Sequence, residues 1–525
     1  MDDPWTLPLR LAVQRHDVRE PPYRKRVLHQ PYRLPAVLTG SAARECRQLI
    51  GGEWVEAPGG ATFEDADPFT GAVVATVPAG TREDARRAIE AAAEAFPNWS
   101  QTAPAERQAI FLKAADVLDA RRDDVASWLT RETGCTVGWA MFQLQFVPGL
   151  FRQAAALGYM PTGEILPSDS GAFAMGIRRP VGVVGAIAPW NAALILSARS
   201  IAAPIALGNT VVLKPSELSP YVGGLLWGEI FGDAGLPAGV LNIVTHAPGE
   251  AGPIGDELVE SPHVRCINFT GSTQTGRRLA EAAGRNLKRL VLELGGHNPL
   301  IVLADADLDY AVDASAFGAF LHQGQICMST RRIIVERSIA DSFVERLTAK
   351  TRGLKVGDPR EPDTIIGPLI NESALEVVKG RVDDALSKGA KLLAGGKAVG
   401  PCFQPTLLTD VPEASELGRV ETFGPVATIE IVDSAEEAIG RANATSYGLS
   451  SGIITSDPDR GLELAQQIDA GVVHVNDQTV GDEPQMPFGG VKESGWGRFG
   501  GSAAINEFTE LRWVTVRRAP HPFPF

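Results

Sequence analysis

Apolar positions along this chain keep two rhythms. From residue 49 to about 160 they recur at helical spacing. "TREDARRAIEAAAEAFPNW" (81–99) offers Thr81 as an N-cap, acids in the first turn and apolar residues three and four apart. Further helices are expected near 104–120 and 122–132. An aromatic-rich helix, "VGWAMFQLQFVPGLFRQAAAL", is expected over 137–157. Core packing is the simpler reading of that helix; lining an apolar pocket is the sharper one.

Beyond residue 180 the rhythm changes. "VGVVGAIAP" (181–189), "NTVVLKP" (209–215), "GVLNIVT" (239–245), "VRCINFT" (264–270) and "LKRLVLEL" (287–294) are short, nearly continuous apolar runs. Helix-like stretches such as "ALILSARSIAAPIALG" separate them. That alternation predicts βαβ units and an α/β, doubly wound parallel sheet with right-handed crossovers. Ligands of such sheets sit beyond the carboxyl ends of the strands. A second α/β set begins near 300 with "PLIVLADADLDYAVDASAFGAFLHQGQ". "TELRWVTVRR" and part of "GAFAMGIRRPVG" read as edge strands without an obvious partner, which suggests pairing across subunits. Residues 1–48 are rich in Arg and Pro and lack a period, so they read as a poorly ordered arm.

With 525 residues, two or three domains are expected. A net charge of −14 disfavours nucleic acid and anionic membranes as partners. No apolar run is long enough to span a bilayer, and no secretory h-region opens the chain. The five cysteines (46, 135, 266, 327 and 402) are scattered and form no CxxC, the usage of a reducing, cytoplasmic setting. No metal site is expected.

Candidate chemistry gathers where elements end. Lys214 and Glu217 follow a strand in "VVLKPSE", where a donor and an acceptor suit a ribose diol and the carboxylate repels a 2′-phosphate. "FTGSTQTG" is a strand, a turn and a helix start; Gly271, Ser272 and Gly276 there suit a pyrophosphate, although the spacing is neither GxGxxG nor Walker A. Glu293 ends an apolar strand in "LELGGHNP", where partial burial raises a carboxyl toward general-base range. Asn191 of "APWN" can donate to an oxyanion, or simply cap a helix. Cys327 of "HQGQICMST" is, read alone, more often an inert core thiol than a nucleophile. His322, five residues earlier, raises a Cys–His pair as a remote alternative.

"APWN", "LKPSE", "FTGST", "LELGG", "GQIC", "ETFGPV" and "MPFGGVKESGWGRFGG" occur in the order found in the aldehyde dehydrogenase superfamily, and the chain resembles it over residues 49–518. Among its members, the chain is most similar to bacterial aromatic aldehyde dehydrogenases of the vanillin, salicylaldehyde and benzaldehyde type. The resemblance implies an NAD-binding domain (49–161 and 179–295), a catalytic domain (296–490) and oligomerisation strands (162–178 and 507–519). It implies a homodimer or homotetramer, and NAD rather than NADP. Cys327 resembles the nucleophile, Glu293 the water-activating base, and Asn191 with the Cys327 N–H the oxyanion hole. Lys214 and Glu217 resemble adenosine-ribose contacts, Ser272 a pyrophosphate contact and Glu421 the nicotinamide-ribose ligand, with Trp190 and Phe423 beside the cofactor. Trp139, Phe142, Trp190, Ile326, Met328 and Trp496 are expected as pocket walls. His297 departs from the Lys common after the paired glycines. A semialdehyde substrate is the serious alternative, with Arg178, Arg199 or Arg331 to hold its far carboxylate.

Overall fold

The computed structural model describes residues 43–160 and 162–525. Five of the apolar runs become parallel strands: Val183–Ile187, Thr210–Lys214, Leu241–Ile243, Val264–Thr270 and Arg289–Glu293. They form the centre of an eight-stranded sheet ordered 495–496, 289–293, 264–270, 183–187, 210–214, 241–243, 48–50, 53–55. Winding reverses between 183–187 and 264–270, so the ligand crevice opens at the carboxyl ends of those two strands. Every residue of Val183–Ile187 and Thr210–Lys214 is buried, as strands covered on both faces must be.

Helix Arg82–Trp99 lies on this sheet. Thr81 caps it by accepting from the Asp84 N–H, and the Asp84 carboxylate accepts from the Thr81 N–H at 2.9 Å. Pro104–Ala120, Arg122–Thr133 and Val137–Leu157 form where the periodicity predicts them. Val137–Leu157 packs on Pro104–Ala120 and on Ala193–Ala206. Phe111, Phe151, Trp227 and Phe231 lock that packing, with ring centroids 5.4–5.9 Å apart in edge-on and tilted pairs. Each such pair contributes roughly 0.5–1.5 kcal/mol beyond its burial.

The second α/β unit has a seven-stranded sheet ordered 391–394, 406–409, 426–432, 332–336, 299–302, 450–454, 472–475, parallel except for its 391–394 edge. The chain then returns to the first sheet, where Gly495–Trp496 pairs antiparallel with Leu292 and Glu293.

Three expectations change. The edge strands thought to lack a partner pair with each other: Thr509–Val516 runs antiparallel to Phe173–Pro180 over eight residue pairs, and Gly163–Leu166 completes a three-stranded sheet. Local pattern carries no sign of this because the partners lie more than 300 residues apart. The ladder also carries Phe173–Pro180 two residues past the expected limit at 178. The arm of 1–48 is too long at its end. Arg44–Glu45 pairs with Val73–Pro78, the Arg44 guanidinium lies 4.4 Å from the Tyr221 ring centre, and Gln48 is fully buried. Residues 1–42 of the arm fall outside the described residues.

Candidate active site

Helix Leu308–Phe320 ends in a tight turn in which His322 (φ 49°) and Gln323 (φ 54°) take left-handed backbone. That reversal delivers the half-buried Cys327 to the crevice. Its loop is pinned from several sides. Asn298 Nδ2 donates to the Cys327 carbonyl at 2.7 Å and to the Ser329 carbonyl at 2.9 Å. The Thr479 hydroxyl donates to the Met328 carbonyl at 2.6 Å. Arg331, fully buried, donates to the carbonyls of Gly424 (2.7 Å) and Gly324. Asn191, just past Val183–Ile187, donates its amide to the Gln325 carbonyl at 3.0 Å, and Trp139 Nε1 donates to the Asn191 carbonyl at 3.2 Å.

Glu293 is 3% exposed, and neither carboxylate oxygen has a hydrogen-bond partner. Burial pushes its carboxyl well above the usual range, with Arg199 and Arg498 opposing. Space for it depends on Gly489, where a Cβ would sit 2.7 Å from Glu293 Oε1. The Glu421 carboxylate rests on the paired glycines: Gly296 N–H donates to it at 3.3 Å, and a Cβ on Gly295 would collide with it. Burial raises Glu421 to about 7, with Arg331 opposing. Burial, followed by Glu421 and Glu293, pushes the Cys327 thiol up to about 12. Phe423 (φ 53°) meets Trp190 edge-on at 5.6 Å.

Lys214 is buried at the end of its strand, and burial lowers it to about 8. Its Nζ donates to the Pro215 carbonyl at 3.1 Å and lies 2.7 Å from His246 Nε2. Glu217 stands beside them, accepting from the Ser216 hydroxyl at 3.2 Å. Ser272, exposed, caps Thr273–Arg285 by accepting from the Thr275 N–H at 3.3 Å. Gly271 N–H donates to the Glu293 carbonyl at 3.0 Å, tying this turn to the acid's strand. A Cβ on Gly276 would collide with Leu294.

Trp139, Phe142, Phe146, Ile326, Met328, Cys327 and Phe488 share one apolar cluster. Trp139 stacks between Phe142 (5.1 Å) and His322 (5.2 Å), each at 13°. His322 is therefore a buried stacking partner of Trp139, held neutral at about 3 by burial, rather than the base of a Cys–His pair. Trp496 is corrected: it sits on the short edge strand, 51% exposed and outside the cluster. The three arginines considered for a far carboxylate are all engaged. Arg178 donates to Thr509 and Asn506, Arg331 to backbone carbonyls, and Arg199 to Asp482 at 2.5 Å in a buried ion pair. Arg199 also lies over the rings of Phe146 (5.5 Å) and Phe488 (4.6 Å). His297 is buried and held neutral at about 3 by burial and by Arg332 and Arg331.

Sequence reasoning missed Asn298, Asp482 and His246. His246 had a usable signal, since it follows the strand Leu241–Ile243 just as Lys214 ends its neighbour. Among the described residues no helix is long and apolar enough to cross a membrane, and no cluster of His, Cys, Asp or Glu is arranged for a metal ion.

Residues 54–514 match the aldehyde dehydrogenase family. A vanillin dehydrogenase from Pseudomonas fluorescens is 48% identical over 477 residues, 91% of this chain and 98% of that protein. A benzaldehyde dehydrogenase (NAD+) from Pseudomonas putida is 42% identical over 480 residues, 91% of this chain and 98% of that protein. The crystal structure of a salicylaldehyde dehydrogenase from Pseudomonas putida G7, complexed with salicylaldehyde, superposes with a TM-score of 0.90 at 42% identity, covering 92% of this chain and all of the other. Fold and relatives agree, and the chain belongs to the aldehyde dehydrogenase family.

Proposed function

We propose that this enzyme oxidises an aromatic aldehyde to its carboxylic acid with NAD+. The observation that carries the reading is that Cys327 packs against an apolar cluster to which Trp139, Phe142, Phe146 and Phe488 also belong, while Arg199 is ion-paired with Asp482 and Arg178 and Arg331 already donate to neutral groups. A flat, uncharged ring suits such walls; the far carboxylate of a semialdehyde would find no free arginine among the three considered. The vanillin, benzaldehyde and salicylaldehyde dehydrogenases to which the chain is similar support the same substrate class.

The carboxyl edge of the first sheet fits a dinucleotide by the chemistry of its groups. Lys214 and Glu217 would offer a donor and an acceptor to the adenosine ribose, the helix start at Ser272 would hold the pyrophosphate, and Glu421 would take the second ribose, with Trp190 and Phe423 beside the cofactor. A bound NAD+ supplies a hydride acceptor. The Cys327 thiolate bonds to the carbonyl carbon, and the Asn191 amide with the Cys327 N–H holds the resulting oxyanion. Loss of hydride from that carbon leaves a thioester on Cys327. Glu293 then takes a proton from water, the new oxygen bonds to the carbon, the C–S bond breaks and the acid leaves.

Purified protein is assayed with aromatic, terpenoid, aliphatic and semialdehyde substrates, reading NADH absorbance. Aromatic aldehydes are expected to lead in kcat/KM. Preference for a carboxylate-bearing semialdehyde would sink the substrate reading. The exposed Ile165, Leu511 and Trp513 on the three-stranded sheet support a homo-oligomer built on that surface. Five free cysteines fit a reducing compartment such as the cytoplasm.

A further inference from the structure

Lys214, Glu217 and His246 meet past the carboxyl ends of two neighbouring strands, Thr210–Lys214 and Leu241–Ile243. His246 is 1% exposed, so its contacts fix its chemistry. Its Nδ1 lies 3.0 Å from the Ala247 carbonyl, which can only accept; Nδ1 therefore carries the ring proton. With the proton there, Nε2 presents its lone pair to Lys214 Nζ 2.7 Å away, beside the Pro215 carbonyl that both groups approach. Burial and the adjacent Lys214 hold the ring neutral, at about 4. Of the three Lys214 protons, one goes to the Pro215 carbonyl and one to His246, leaving one for a ligand. Glu217 Oε2 stands 3.7 Å from the same ring nitrogen.

That corner suits a hydroxyl and not a phosphate. A ribose 2′-OH needs one donor and one acceptor, which the free Lys214 N–H and Glu217 provide. A 2′-phosphate brings two negative charges and several acceptor oxygens. It would meet a single free donor and a carboxylate, with the neutral imidazole behind them offering no charge to offset its own.

We propose that His246 is a positioning and specificity-determining residue: it holds the Lys214 ammonium turned onto its Nε2 and fills the space beside Glu217, and so excludes a 2′-phosphorylated dinucleotide. This rests on the reading of Lys214 and Glu217 as adenosine-ribose contacts. It predicts that the selectivity of this enzyme resides in a three-residue unit and not in Glu217 alone.

The test measures equilibrium binding of NAD+ and NADP+ to the full chain without aldehyde. In the native protein NAD+ is expected to bind at least about tenfold tighter. His246→Ala should narrow that ratio about fivefold or more, mainly through tighter NADP+. His246→Asn keeps a donor for the Ala247 carbonyl but is too short to reach Lys214, so it should behave like Ala. His246→Gln places an acceptor near the Nε2 position and should hold the native ratio to within about twofold. If Ala disrupts folding, the Asn and Gln variants decide the matter between them. An Asn variant with the native ratio, or equal weakening of both dinucleotides in Asn and Gln, overturns the proposal while leaving the ribose-site reading intact. A native protein that binds neither dinucleotide removes both.

Discussion

Two carboxylates at strand ends of one sheet live in opposite conditions. Glu217, after Thr210–Lys214, is partly exposed, accepts a hydroxyl hydrogen bond and stands beside a lysine and a histidine. Glu293, at the end of Arg289–Glu293, is buried with both oxygens bare. A binding residue gains from partners fixed in advance. A group that must take a proton gains from having none, because burial without partners keeps it basic once ionised. Partnering, more than position along the sheet edge, separates the two roles.

The comparison breaks most visibly at the reacting end. Cys327→Ala should lower kcat by at least about 10⁴-fold while dinucleotide binding stays within about twofold; turnover close to native would end the nucleophile assignment. Glu293→Gln should cost about 10²–10⁴-fold in steady-state kcat. A rapid first release of NADH should survive in that variant, since the acid serves the hydrolytic step. Absence of the burst would move Glu293 ahead of hydride loss. The pH profile reads the same contrast. Cys327, pushed up to about 12, holds its proton near neutrality, and burial raises Glu293 above the usual carboxylate range, so the acting forms of both appear as pH rises. From about pH 6 to 9, kcat/KM should climb with the Cys327 thiolate and kcat with ionised Glu293; a flat or falling profile in either contradicts an ascending role for the group it reports.

At the binding end the effects are smaller. Glu217→Ala should shift the NAD+/NADP+ ratio by about tenfold toward NADP+, or about 1.4 kcal/mol, with kcat unchanged. The smallest effect is on stability. The proton that Glu293 keeps only in the folded chain stabilises the fold at low pH, and this contribution is lost as pH rises through its raised value. Glu293→Gln does not ionise, so its melting temperature should exceed the native one by a few degrees near pH 9 and by less near pH 5. An advantage that grows toward acid would reverse the assigned direction.

Much of this was legible in the chain because it is local. Thr81 and its capping acid, the buried strands and the residues just beyond their carboxyl ends follow from short-range pattern and the geometry of doubly wound sheets. The expected strand "GVLNIVT" contracts to Leu241–Ile243, and that shortening places His246 in the crevice corner. What stayed hidden depends on distant pairing. Nothing near Arg199 announces Asp482, and nothing near Phe173 announces Val516. Trp496 was misjudged for the same reason: aromatic character suggested a pocket wall, whereas its exposure is set by an edge strand anchored to Leu292.

The return of Gly495–Trp496 to the strand of Glu293 bears on how the molecule is made. The acid's strand is an open edge until a segment about 200 residues further on arrives to close it. The seven-stranded unit lies wholly between, so it emerges from the ribosome before the first sheet is finished. A chain interrupted shortly before residue 495 would carry Cys327, Glu293 and Asn191 yet leave Glu293 on an unprotected sheet edge.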